Sequence, residues 1–301
     1  MAIITPSLLL SLRTGLVKIF QDSMKDTPTD WQRIATRVPS STASNTYGWL
    51  GEFPGLREWI GDRVIKDMKA QGYVITNRLF EGTVGVKRTD IEDDNLGIYT
   101  PMTQEQGRAA KVHPDELVFD VLKAGHTSEC YDGQNFFDTD HPVYPNVDGT
   151  GTAQTVSNVT AGSGAAWYLM DTSRPLKPII FQERLKPELQ ALMSLDDERV
   201  FMSDLFRFGI RARGAAGFGF WQMAHKSQAA LDGASFAAAR MSLEMMKADG
   251  GRPLGLKPTL LVVPPTLRSQ AEELILADKK DGGGTNTNYK AVELLVTTWV
   301  A

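Results

Sequence analysis

The stretch TDIEDDNLGIYTPMTQEQGRAAKVHPDELVFDVLKAG, Thr89–Gly125, decides the fold. It opens acidic, Asp90-Ile91-Glu92-Asp93-Asp94-Asn95, which suits the electropositive start of a helix, where side-chain oxygens accept from free backbone N–H groups. Thr100-Pro101 repeats the start signal, because proline is tolerated at the first helical position. Apolar residues then recur at Met102, Ala109, Ala110, Val112 or His113, Leu117, Val118, Val121 and Leu122. That three-and-four spacing predicts one buried face, and Gly125 supplies the stop. Pro114 lacks an N–H and clashes with the preceding turn. The stretch therefore reads as one kinked helix or as two helices meeting there, with Asp115 and Glu116 favouring a fresh start.

Toward the N-terminus, Ile3–Met24 reads as a helix with Leu9, Leu12, Leu16, Ile19 and Phe20 on one side, capped at Ser7 or Ser11. Arg13 and Lys18 interrupt its leucine run and no basic segment precedes it. It resembles neither a targeting segment nor a membrane span. It is an amphipathic arm whose leucines need something to pack on, such as another subunit. Residues 25–46 are polar and broken by Pro28 and Pro39, with Ser40–Ser44 extended. From Tyr47 to Asn77, Trp49, Phe53 and Trp59 are set among glycines and a proline, and Tyr73-Val74-Ile75-Thr76 is strand-like. A projecting hairpin follows from this, its apolar tip covered by a neighbour, because aromatic residues concentrate in interface cores. Leu79–Lys87 continues as strand.

Beyond the central helix, residues 126–164 form a long polar loop, a length that marks function or an interface. Trp167–Ala224 is strand-rich, clearest at Pro178–Gln182 and at Leu205–Arg213, which alternates with period two. Gly214, Gly217 and Gly219 mark bulges or close backbone approach. Ala234–Ala248 (helix), Leu260–Val263 (strand), Thr266–Ala277 (helix), a loop from Asp281 to Asn288 and Ala291–Val296 (strand) make a compact α/β unit.

The 301 residues are 42% hydrophobic and 23% charged, enough for a large core in one or two domains. A net charge of −4 argues against a nucleic-acid reader and suits a surface lying near DNA without adhering to it. Cys130 is the only cysteine, which excludes an intrachain disulfide, disfavours a thiolate zinc site and fits a reducing compartment.

The most catalytic-looking group is His126, Cys130, Asp138, Asp140 and His141. Paired carboxylates beside histidine suit a hard metal or an activated water, and Cys130 with His141 imitates a thiol nucleophile and its base. The plainer reading of Asp-Thr-Asp-His-Pro is a turn that satisfies backbone groups. Gly282-Gly283-Gly284 follows a helix instead of opening one, so it is no phosphate cradle, and the Gly214–Gly219 spacing is wrong for a dinucleotide fingerprint. No catalytic, cofactor-binding or metal residue is assigned. The subunit-interface candidates are Leu9, Leu12, Trp49, Phe53, Trp59 and Tyr73.

The chain resembles the major head subunits of Mu-like transposable tailed phages and prophages. The likeness runs through Tyr73-x-Ile75-x-Asn77-Arg78-x-Phe80-Glu81, Asp90–Asp94, His113–Leu117, Phe136–Pro142, Leu169-x-Asp171–Arg174-x-Leu176–Pro178, Gly217–Gln222, Arg252–Gly255 and Leu261–Pro265. It implies an α+β, Hong Kong 97-type capsid fold: N-terminal arm (1–46), E-loop hairpin (47–77), P-domain with spine helix and strands (78–232, including the long loop 126–165) and A-domain (233–301). The strand-rich segment preceding the A-domain implies a rearranged segment order. The implied function is self-assembly, in hexamers and pentamers, into an icosahedral head enclosing double-stranded DNA. Neighbours would engage through E-loop and arm. Scaffold or protease, portal and any decoration protein would be separate chains, DNA would be contacted nonspecifically, and no membrane or cofactor would be involved. The place implied is the virion, after assembly in the host bacterial cytoplasm. The alternatives are a nanocompartment shell of the same fold and a metal-dependent hydrolase using Asp138, Asp140 and His141.

Overall fold

The computed structural model describes residues 5–48, 50, 72–93, 96–194, 198–280 and 282–301. In chain order the elements are α1 (Pro6–Asp26), α2 (Trp31–Ile34), β1 (Ala35–Pro39), β2 (Ser44–Tyr47), β3 (Tyr73–Thr76), β4 (Arg78–Lys87), α3 (Arg88–Glu92) and α4 (Tyr99–Ala124). Then come β5 (His141–Val143), β6 (Gln154–Val156), β7 (Val159–Thr160), β8 (Trp167–Met170), β9 (Ile179–Leu192), α5 (Glu198–Ser203) and β10 (Leu205–Phe218). The chain closes with β11 (Ala224–Ser227), α6 (Gly233–Glu244), β12 (Leu260–Val263), α7 (Arg268–Ile275) and β13 (Glu293–Val296).

Two sheets carry the molecule. One has the order β1-β9-β10-β4, with β1 parallel to β9 and the other pairs antiparallel. Beyond Gln182, β9 alternates half-buried and exposed residues, so one face lies on helices and the other is open. The second sheet has the order β13-β12-β8-β11-β7. Its β8 sends Trp167 and Leu169 to a core under α6 and α7, and Tyr168 and Met170 to the main core on the other side. Apolar residues on both faces make β8 and β12 continuously hydrophobic, as doubly covered strands must be.

Trp167–Ala224 is therefore not one block of strands. β9 and β10 pair with β4, whereas β8 and β11 join β12 and β13. The expected division at 232/233 runs through the five-stranded sheet, because β12 pairs with β8 on its inner edge.

α4 runs unbroken through Pro114, resolving the alternative of two helices. Proline removes one intrahelical bond at a cost of about 3 kcal/mol. The turn after it buries Val118, Phe119 and Leu122 completely in the main core, and large buried side chains contribute about 1.5–3 kcal/mol each. Near its N-terminus the buried face differs from the apolar spacing: Thr103 and Gly107 face inward, while Met102 and Ala109 are exposed. Those small residues let α1 approach closely; a Cβ on Gly107 would stand 2.6 Å from the Phe20 carbonyl oxygen. The N-cap of α4 is Ile98, which has no side-chain cap bond; of the acidic stretch before it, Asp90–Glu92 belongs to α3, and the Asp90 carboxylate accepts from the Tyr99 hydroxyl.

The cap of α1 is Thr5, whose Oγ1 accepts from Leu8 N–H, in place of Ser7 or Ser11. The long loop after α4 is an inner wall of the core. Phe136 stacks on Phe218 at 4.5 Å, and buried Asn158 donates to the Phe136 and Trp221 carbonyls.

Candidate assembly surfaces

Subunit contacts need side chains that the chain itself leaves uncovered, carried on elements rigid enough to present them. The hairpin root meets the second condition. β2 and β3 pair antiparallel, Ser44↔Thr76 to Tyr47↔Tyr73, so residues 44–47 and 73–76 form the predicted hairpin's base. Ile75 drops into a slot over Gly217, where a Cβ would lie 2.5 Å from its Cδ1. The close backbone approach read from that glycine is thus a docking place for the hairpin. The Tyr73 hydroxyl accepts from Phe218 N–H at 3.2 Å, and burial raises the pKa of its phenol. Tyr73 is half-buried against its own chain at the base. Beneath it all is Gln182 of β9, fully buried, which receives the Tyr47 hydroxyl at 2.8 Å and donates to the Ile75 carbonyl at 3.1 Å and Asn77 Oδ1 at 2.8 Å. Trp49, Phe53 and Trp59 lie outside the described residues.

The arm is different. Leu9 is 6% exposed and packs with Leu16, Val86, Ile91, Tyr99, Val200, Phe206 and Phe208, and Leu12 is half-buried against the same cluster. Leu9, one of the leucines expected to await another subunit, is buried within its own chain in a cluster with side chains of β4, β10 and Tyr99 at the start of α4. Among the described residues the most exposed large apolar side chains are Phe201, 82% exposed, and Met202, 77% exposed, on α5, and Leu10 of the arm is exposed as well. Sequence reading missed the α5 pair, because a six-residue helix is too short for its apolar spacing to identify a face.

The catalytic-looking residues are dispersed. His126 is exposed, with Nδ1 2.8 Å from the Lys123 carbonyl. Asp138 and Asp140 hydrogen-bond to each other, which pushes the Asp140 carboxyl up. Although burial opposes it, Asp138 lies below the usual range, because Thr139 N–H and Asp140 hold its charge. His141 faces neither; its Nδ1 is 2.7 Å from Asp132 Oδ2, and its ring stacks on Trp221 at 3.8 Å. The Cys130 thiol donates to the other oxygen of Asp132 at 3.1 Å. Asp132 therefore separates thiol from imidazole. Burial and then the Asp132 charge push the thiol pKa up, opposite to what a nucleophile or a metal ligand needs. Cys130, Asp132 and His141 have the donor atoms of a metal site, all within 4.8 Å of one another. However, the carboxylate already accepts from the thiol and Gln134 N–H and pairs with the imidazole. The arrangement is a buried turn-stapling hydrogen-bond chain.

Among the described residues no helix is long and apolar enough to cross a membrane. Residues 9–300 match the family model of the Mu-like prophage major head subunit gpT. The chain is 52% identical over 289 residues to the major capsid protein of Escherichia phage Mu, covering 95% of each. It is 46% identical over 301 residues to the Mu-like prophage FluMu major head subunit of Haemophilus influenzae, covering 98% of this chain and 97% of that protein. Its structure is similar to a chain of the procapsid of bacteriophage JBD30, with TM-score 0.88, 60% identity and coverage of 98% and 100%. For a chain of the JBD30 capsid the values are TM-score 0.76, 48% identity and full coverage of both.

Proposed function

The chain belongs to the Mu-like prophage major head subunit family, and from that premise we propose how its parts share the work of a phage shell. It is a major capsid protein of Hong Kong 97-type fold, a structural subunit and not an enzyme, and the same match favours it over a nanocompartment shell or a hydrolase. Copies of it build the shell of the virion.

In our reading α4 with the four-stranded sheet is the peripheral body, and the five-stranded sheet with α6 and α7 is the axial domain. The hairpin carries Trp49, Phe53 and Trp59 over a neighbouring subunit, and Phe201 and Met202 add a second apolar contact. Burying such side chains contributes about 1.5–3 kcal/mol each, and a closed symmetric shell repeats every contact. The same shell consists of hexamers and pentamers built in the host cytoplasm, with scaffold or protease and portal as separate chains. A minor capsid protein decorates it, as trimers of one decorate the JBD30 capsid. The net charge of −4 supports an inner surface that holds packaged DNA without adhering to it.

The observation that carries this reading is the overlay of 98% of the chain on the JBD30 procapsid chain at TM-score 0.88. Sedimentation and electron microscopy of the full chain, expressed alone and with its phage's own head-assembly proteins, test it. Closed particles are expected in at least one preparation. A single small species in both overturns the reading.

A further inference from the structure

We propose that Gln182 is the positioning residue that sets the direction in which the hairpin leaves the body; the proposal rests on the reading of the chain as a shell subunit. The hairpin root is a two-stranded sheet of its own, hydrogen-bonded by ladder to neither large sheet. β3 runs through Asn77 into β4 of the four-stranded sheet, and beyond that covalent junction side chains fix the angle of the root to the body. Gln182 lies inside the four-stranded sheet, paired with Val38 on one side and Ala215 on the other, so its backbone is held by two ladders. Its amide reaches both strands of the root or their immediate continuation. The oxygen takes the Tyr47 hydroxyl, and the nitrogen gives one bond to the Ile75 carbonyl and one to Asn77 Oδ1.

Three bonds from one planar, fully buried group fix orientation as well as distance, because the amide has one acceptor end and two donors at set angles. Asn77 relays the constraint. Its Nδ2 donates to Ser40 Oγ and the Thr42 carbonyl, both at 2.9 Å, and its N–H to the Ala43 carbonyl at 2.9 Å. The strip before β2 and the end of β3 are thereby locked to the same point. Ile75 in its slot over Gly217 and the Tyr73 hydroxyl on Phe218 N–H hold the root against β10, and the three bonds of Gln182 add the orientation. A tilt at the root displaces the rest of the hairpin in proportion to its distance from the root, so root angle and shell geometry are coupled.

The test compares the full-length wild type with Gln182→Met, which keeps the volume and removes all three bonds, and with Tyr47→Phe, which removes one. Hydrogen exchange of residues 44–47 and 73–77 is read on unassembled subunits, thermal melting on the same samples, and particle diameters by electron microscopy. Gln182→Met is expected to speed exchange at the root about tenfold or more. It should leave the other strands of the four-stranded sheet protected and yield particles of mixed diameter or open shells. Tyr47→Phe should lie between. Unchanged root exchange in Gln182→Met, or faster exchange with wild-type particle diameters, overturns the proposal. Should Gln182→Met fail to fold, Tyr47→Phe decides by the same two readouts. A wild type that forms no particles overturns the shell reading instead, and the exchange result still judges Gln182.

Discussion

Asp115 follows Pro114 in α4 and is 3% exposed, its Oδ1 accepting from the backbone N–H groups of Asp30 and Trp31 at 3.0 and 2.6 Å. Burial raises its carboxyl from 3.8 to about 6, against the pull of those N–H groups, with Asp30 adding to the rise and Lys111 opposing it. His225 is shifted the other way: burial lowers it from 6.5 to about 4, with Nε2 2.8 Å from Thr160 Oγ1. The signs follow from which state holds the proton more tightly. The folded chain favours protonated Asp115, so this residue adds stability as pH falls through about 6 toward 3.8. It disfavours protonated His225, so that residue removes stability as pH falls through 6.5 toward 4. Each shift corresponds to something on the order of 3 kcal/mol, and the two act in opposite directions. Asp115→Asn should therefore lose melting temperature faster than wild type between pH 7 and pH 5, and His225→Gln should lose it more slowly. Parallel melting curves for all three across that range would refute the assignment.

The α1–α4 seam shows how an element is placed by what is missing from its surface. Gly107 has no room for a Cβ against the Phe20 carbonyl, whereas Gly15, in the middle of α1, has nothing within 4 Å. Gly107→Ala should push the arm off α4 and cost about 1–3 kcal/mol, as overpacking does. Gly15→Ala should stabilise by about 0.5–1 kcal/mol, since an exposed helical glycine costs about that much relative to alanine. Opposite shifts in chemical denaturation midpoints are expected, and a destabilising Gly15→Ala would contradict the packing described. α5 gives the surface counterpart. Phe201→Ser should change subunit stability by no more than about 0.5 kcal/mol yet reduce particle yield. Undiminished yield by electron microscopy would remove Phe201 from the contact surface.

For the whole molecule the five-stranded sheet sets cooperativity. β12 pairs β13 in parallel and β8 in antiparallel register, and β8 in turn pairs β11, so strands from before and after residue 233 share one sheet. A fragment of residues 233–301 would expose the inner edge of β12 and lack Trp167 and Leu169 from its core. It should be unfolded or aggregated when expressed alone, while addition of residues 157–232 should not restore it unless β9 and β10 also find β4. A cooperative melt from the short fragment would show that it is an independent domain.

Local pattern was enough for a helix over α4, the arm helix, the strand at Tyr73–Thr76, and the run of α6, β12, α7 and β13, because each rests on periodicity or turn chemistry within its own segment. The role of Gly217 was legible too, since a glycine inside a strand pattern marks close approach. Tertiary contact decided the rest. Pro114 stays inside one helix because the residues after it are buried. Leu9 belongs to its own chain because β4 and β10 shape a pocket for it. Gln182, which follows the apolar start of β9, gained its meaning only when Tyr47, Ile75 and Asn77 arrived from more than a hundred residues away. Hydrophobic spacing encodes which face of an element seeks cover. Which partner provides the cover depends on long-range pairing, and no single segment contains that information.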